Sequence, residues 1–142
     1  MVTSEPLAPA GSGVGVEHPF AAAMMVAPVT DWRLYDSVYT ERFMDTPQHN
    51  LAGYDRGSVL KRAANMAGRP LLLCHGTGDD NVHMQQSVEL VDKLVGFGNT
   101  DFELMIYPNR QHGISVGNAK QHIHRYLWQW LGRALAEAEA VG

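Results

Sequence analysis

Leu71-Leu72-Leu73-Cys74-His75-Gly76-Thr77-Gly78-Asp79-Asp80-Asn81-Val82-His83 is the stretch that decides the fold. Its first four residues form an apolar run too short for a helix and read as a buried strand. The Gly- and Asp-rich residues that follow read as a loop. Further on, Phe102-Glu103-Leu104-Met105-Ile106-Tyr107 reads as another strand, and Asn109 to Gly117 as the loop after it, with Gln111-His112-Gly113-Ile114 inside. Each strand is therefore followed by a loop holding a proton-handling residue, the acid first and the histidine second.

Outward from this pair, the pattern alternates. Ala21 to Val29 reads as a buried strand stopped by Pro28. Tyr35 to Phe43 reads as a short helix capped by Asp31 or Thr30. Thr46 to Gly57 carries Pro, Asn, Gly and Asp and reads as loop, and Ser58 to Met66 as a helix. Gln85 to Val95 reads as an amphipathic helix with Val88, Leu90, Val91, Leu94 and Val95 on its apolar side. A final helix from Asn118 to Ala138 repeats Ile123, Tyr126, Leu127, Trp130, Leu131 and Leu135 at three- and four-residue spacing. Residues 1–19, rich in Gly, Pro, Ala and Ser, read as an irregular lead-in, and 139–142 as a tail.

Strands alternating with helices predict an α/β fold with a mainly parallel sheet flanked by helices. Three strands are few for such a sheet, whose members are normally covered on both faces. Ala21–Val29 would leave an apolar edge, which points to a fragment of a larger domain.

Composition narrows the function classes. The chain has 142 residues, 45% hydrophobic and 18% charged, with a formal net charge of -4. That balance is ordinary for a globular domain and, with no basic patch, argues against a nucleic-acid partner. The longest apolar run, Phe20 to Val29, is too short to span a bilayer, and no basic segment precedes it as in a signal peptide. Cys74, the single cysteine, lies in an apolar run and reads as a buried, inert thiol.

In parallel sheets, ligands gather beyond the carboxyl ends of the strands. Three loops leave such ends, bringing Trp32, Tyr35, Tyr39, Asp79, Asp80, Asn81 and His112 to one rim. An acid that fixes an imidazole tautomer, with a histidine that moves the proton, suits acyl transfer. Acid before histidine is also the back half of the Ser…Asp…His order of α/β-hydrolases. A plainer reading stays open: Asp79 and Asp80 cap the next helix, and His112 is a loop histidine. The nucleophile is missing. Gly113-Ile114-Ser115-Val116-Gly117 matches the elbow pattern Gly-x-Ser-x-Gly only formally, because the acid and the histidine both precede Ser115. His122 and His124, spaced i, i+2 on a helix, do not make a metal site, and Gly11-Ser12-Gly13-Val14-Gly15 lacks the preceding strand of a phosphate loop. No metal or cofactor is expected. Trp128 and Trp130 read as packing or interface residues.

Val26-Ala27-Pro28-Val29-Thr30-Asp31-Trp32, Tyr35-Asp36-Ser37-Val38-Tyr39-Thr40-Glu41-Arg42-Phe43-Met44, His75 through Gln86, and His112-Gly113-Ile114 together resemble the dipeptidyl peptidase IV branch of the prolyl oligopeptidase family, over about residues 21 to 133. The resemblance implies the last third of an α/β-hydrolase catalytic domain, over residues 20–138, in a serine peptidase that removes dipeptides with a penultimate proline or alanine. It implies Asp79 as triad acid and His112 as triad base. It places Val29, Trp32, Tyr35, Tyr39 and Val82 around the proline ring and Asn81 on a substrate carbonyl, and leaves open which of Tyr35 and Tyr39 supports the oxyanion. The family's Gly-Trp-Ser-Tyr-Gly-Gly elbow and the Glu pair and Arg that grip the substrate amino terminus do not occur here, so the chain alone is expected to be inactive. Family members are often membrane-anchored or secreted, and commonly dimerise near the last helix. That leaves a non-catalytic dimerisation module as the alternative, with peptide substrates or a second copy as partner.

Overall fold

The computed structural model describes residues 20–141, so the expected lead-in over 1–19 lies outside the described residues. Three parallel strands form one sheet in the order β1 (Ala23–Val26), β2 (Leu71–Gly76), β3 (Phe102–Tyr107). Ala23 pairs with Leu71, and Leu71 with Phe102.

The central strand β2 is buried along its whole length because it is covered on both faces. Its side chains alternate, as the pleat requires. Leu72 and Cys74 pack with Tyr107, Ile114, Ile123, Trp130 and Ala134 beneath α4 (Ala119–Val141). Leu71 and Leu73 pack with Ala63, Leu90 and Leu94 beneath α3 (Gln85–Gly96). Burial pushes the Cys74 thiol up to about 11, which keeps it protonated and unreactive at neutral pH.

Several elements differ from expectation. The long buried strand over Ala21–Val29 is a four-residue edge strand with Met24 and Val26 exposed. Ala27, at φ 47, turns the chain out of the strand just before Pro28. The helix expected over Tyr35–Phe43 is α1 (Ser37–Met44), capped by Asp36, whose carboxylate accepts from Tyr39 N at 2.8 Å. Asp31 instead caps a single 3₁₀ turn, Trp32–Leu34. The expected loop Thr46–Gly57 contains a helix, α2 (Leu51–Gly57), capped by Asn50 and anchored by buried Tyr54. Ser58–Met66 folds as 3₁₀ rather than α-helix, over Leu60–Met66. On α3, Val88 and Val95 face solvent, and only Leu90 and Leu94 of the expected apolar side are fully buried. Helix α4 runs past Ala138, over residues expected as a tail, and leaves Leu135 and Trp128 exposed. Among the described residues, no helix is long and apolar enough to cross a membrane.

Candidate active site

The loops after β2 and β3 lie against each other at the carboxyl end of the sheet. Thr77 donates its N–H to Tyr107 O (3.1 Å), Gly78 to Arg110 O (3.0 Å), and Asn109 to the Thr77 hydroxyl (2.8 Å). Gly76 permits this close approach: a Cβ there would press onto the Arg110 carbonyl, 2.8 Å from its carbon.

This contact brings the two candidate residues together. Asp79 is buried, and its Oδ2 lies 2.9 Å from His112 Nδ1. Its Oδ1 accepts the N–H groups of Asn81 (3.1 Å) and Val82 (2.9 Å). Asp79 therefore does not cap α3, whose first turn has no side-chain cap. A carboxylate only accepts, so His112 donates from Nδ1, which leaves Nε2 as the acceptor. The His112 side chain is 45% exposed, and among the described residues its Nε2 has no hydrogen-bonding partner. This geometry can take a proton from a group arriving from solvent.

Burial pushes the Asp79 carboxyl up, but the His112 imidazole and the Asn81 and Val82 amides outweigh it and hold the group below the usual carboxylate range. A depressed folded value stabilises the fold above the unfolded value of about 3.9, and that contribution is lost as pH falls through the folded value. The urea midpoint is therefore expected to drop as pH is taken below about 4, more steeply than in Asp79→Asn. Identical acid limbs in the two proteins would contradict this.

The aromatic residues gather on the neighbouring segment, from the Trp32–Leu34 turn to the start of α1. Trp32 and Tyr39 stack at 6.4 Å, and Tyr35 meets both edge-on at 6.0 and 5.7 Å. The Tyr35 hydroxyl donates to Asn81 Oδ1 at 2.8 Å, tying this group to the acid loop. Val82 is buried, Val29 is half-buried and Asn81 is exposed. A cleft of about 150 Å³ beside the stack is lined by Trp32, Tyr39, Thr40, Phe43 and Met44. Of these, sequence reasoning singled out only Trp32 and Tyr39. A larger cavity of about 330 Å³ lies at the opposite end of the sheet, between Leu71, Phe102 and Trp130. It holds no acid–histidine pair and lies at the amino ends of the strands, where parallel sheets seldom bind ligands.

Two buried residues were also missed. Gln86 accepts the N–H groups of Thr30 and Asp31 at its Oε1, both at 2.9 Å, and donates to Asp31 O at 3.2 Å, which fixes the start of the aromatic loop. His75 lies under the acid loop between Ser87 and Val82. Neither has a sequence signal beyond its place in the quoted motif.

Ser115 does not occupy an elbow. The positive φ values in its loop fall on Asn109 (φ 57), Ile114 (φ 44) and Gly117 (φ 61) and not on Ser115; the Ile114 side chain is in the core, while Ser115 is exposed. Among the described residues, no three His, Cys, Asp or Glu side chains are placed to hold a metal ion.

Residues 13–138 match the model of the prolyl oligopeptidase family. The chain belongs to this family. Among its curated relatives are "Probable dipeptidyl-aminopeptidase B" of Grosmannia clavigera, 46% identical over 112 residues, and that of Tuber melanosporum, 46% identical over 115. These matches cover 79% and 81% of this chain but only 12% and 13% of the relatives, so the chain spans about an eighth of their length. The crystal structure of Porphyromonas gingivalis dipeptidyl peptidase 4 superposes with a TM-score of 0.77 at 41% identity, over 80% of this chain and 16% of that one. The parallel sheet and its flanking helices are thus those of an α/β-hydrolase in the dipeptidyl peptidase IV branch of the prolyl oligopeptidase family.

Proposed function

We propose that residues 20–138 form part of the catalytic domain of a serine-type dipeptidyl aminopeptidase, supplying its acid and base but not its nucleophile. The 2.9 Å bond between Asp79 Oδ2 and His112 Nδ1 carries this reading. Asp79 holds His112 with its proton on Nδ1. His112 Nε2 takes the proton of an incoming serine hydroxyl as that oxygen bonds to the substrate carbonyl carbon, then delivers it to the leaving amine as the peptide bond breaks. In the second half-reaction the same nitrogen takes a proton from water and returns it to the serine.

The substrates are peptides with a penultimate proline or alanine. The Trp32, Tyr35 and Tyr39 rings, with Val29 and Val82, offer a pyrrolidine ring an apolar wall, and Asn81 turns its amide to a substrate carbonyl. The purified 142-residue chain is expected not to hydrolyse Gly-Pro-p-nitroanilide, because among the described residues no serine hydrogen-bonds to Nε2. Turnover that disappears in His112→Ala would overturn this and put Ser115 in the nucleophile's place.

One observation favours a second reading, a dimerisation module built on α4: Trp128 on that helix is 77% exposed. Light scattering separates the two, since a defined dimer lost in Trp128→Ala supports the module and a monomer excludes it.

A further inference from the structure

His75 takes no part in the proposed proton transfers, yet it is fully buried beside them. Both ring nitrogens are engaged. Nε2 lies 2.7 Å from the Val82 carbonyl oxygen and 3.3 Å from Asp79 Oδ2. A carbonyl only accepts, so the network places a proton on Nε2. Nδ1 then accepts the Ser87 hydroxyl at 2.7 Å. Val82, held by its carbonyl, gives its own N–H to Asp79 Oδ1 at 2.9 Å. The chain of bonds runs from Ser87 in the first turn of α3, through His75 at the end of β2, to Val82 and Asp79, and ends at His112.

Building on Asp79 and His112 as acid and base, we infer that His75, oriented by Ser87, is a positioning residue that sets the Asp79 carboxylate for its bond to His112. The buried ring is pinned at both nitrogens, so it cannot turn. The acid loop closes over it, and Oδ2 is left aimed at His112. A ring that only filled space would need its shape and not its proton. Removing the Ser87 hydroxyl therefore separates the two roles.

The test uses the ¹⁵N-labelled 142-residue chain. Long-range ¹H–¹⁵N correlation spectra read which nitrogen of each histidine carries hydrogen, and solvent exchange reads how well the His112 Nδ1–H is protected. The native chain is expected to show hydrogen on His75 Nε2 and a protected one on His112 Nδ1. Ser87→Ala is expected to speed exchange of the His112 proton about fivefold, the weight of one net hydrogen bond. Ser87→Thr restores the protection. Val91→Ala, which loosens α3 packing away from His75, leaves it unchanged. Should Ser87→Ala unfold, Ser87→Cys keeps the volume with a weaker donor and is expected to give the same acceleration. Unchanged exchange in folded Ser87→Ala or Ser87→Cys, or equal acceleration in Val91→Ala, overturns the inference and leaves the acid–base reading standing. An unprotected His112 Nδ1–H in the native chain overturns both.

Discussion

In a chimera that carries residues 20–138 in place of the matching segment of a dipeptidyl-aminopeptidase B relative, His112→Ala is expected to lower kcat/KM for Gly-Pro-p-nitroanilide on the order of 10⁵-fold. Removing the base of a serine triad costs that much because the hydroxyl is a poor nucleophile at neutral pH and the leaving amine is not protonated. Most of the loss belongs in kcat, since His112 contributes little to ground-state binding. Asp79→Asn is expected to cost on the order of 10⁴-fold by releasing the Nδ1–H tautomer of His112. Losses under tenfold in either variant, measured by steady-state kinetics, would remove these residues from the chemistry.

Gly76→Ala is expected to have the largest effect on stability, about 3 kcal/mol, read from the urea midpoint. The added Cβ meets the backbone of Arg110, and backbone cannot swing aside as a long side chain can. The loops after β2 and β3 must part, losing the bonds from Gly78 N to Arg110 O and from Asn109 N to Thr77. Asp79 and His112 part with them, so the substitution should also abolish activity in the chimera. Gly96→Ala is the control: no atom lies within 4 Å of its added Cβ, and a change of at most about 1 kcal/mol is expected there. A cost at Gly76 no larger than at Gly96 would contradict the close approach of the loops.

The sheet was legible where sequence pattern and burial coincide. Leu71–Cys74 is apolar on both faces because helices cover both faces of β2. The same kind of run misled over Ala21–Val29, because apolar composition reports a capacity for burial and β1 lies at an edge with no strand on its outer side in these residues. Helix α2 was hidden by Gly53, Asp55 and Gly57, which read as breakers. Asn50, whose side chain accepts from Gly53 N, was the signal that could have revealed it. Likewise, Asp31 and Asp36 are both plausible caps in sequence, and only the fold assigns one to each turn.

At the site, Asp79 and His112 stood out because acid and histidine each follow a strand, a local pattern. The links from Gln86 to Thr30 and from His75 to Ser87 join residues that are distant in sequence or that face each other only once α3 docks. A histidine at the end of an apolar run and a glutamine near the start of a helix carry no sign of such partners. The 150 Å³ cleft is likewise a product of how α1 packs beside Trp32, and Phe43 and Met44 could not be assigned to it from spacing.

The most direct measurement is fluorophosphonate labelling of the chimera followed by peptide mass spectrometry. A single adduct is expected on the serine contributed by the relative, forming at least about 100-fold more slowly in His112→Ala, because the probe reacts only with a hydroxyl whose proton a base can take. An adduct on Ser115, or equal labelling rates with and without His112, would contradict the assignment of Asp79 and His112 as the acid and base of a serine that lies outside this chain.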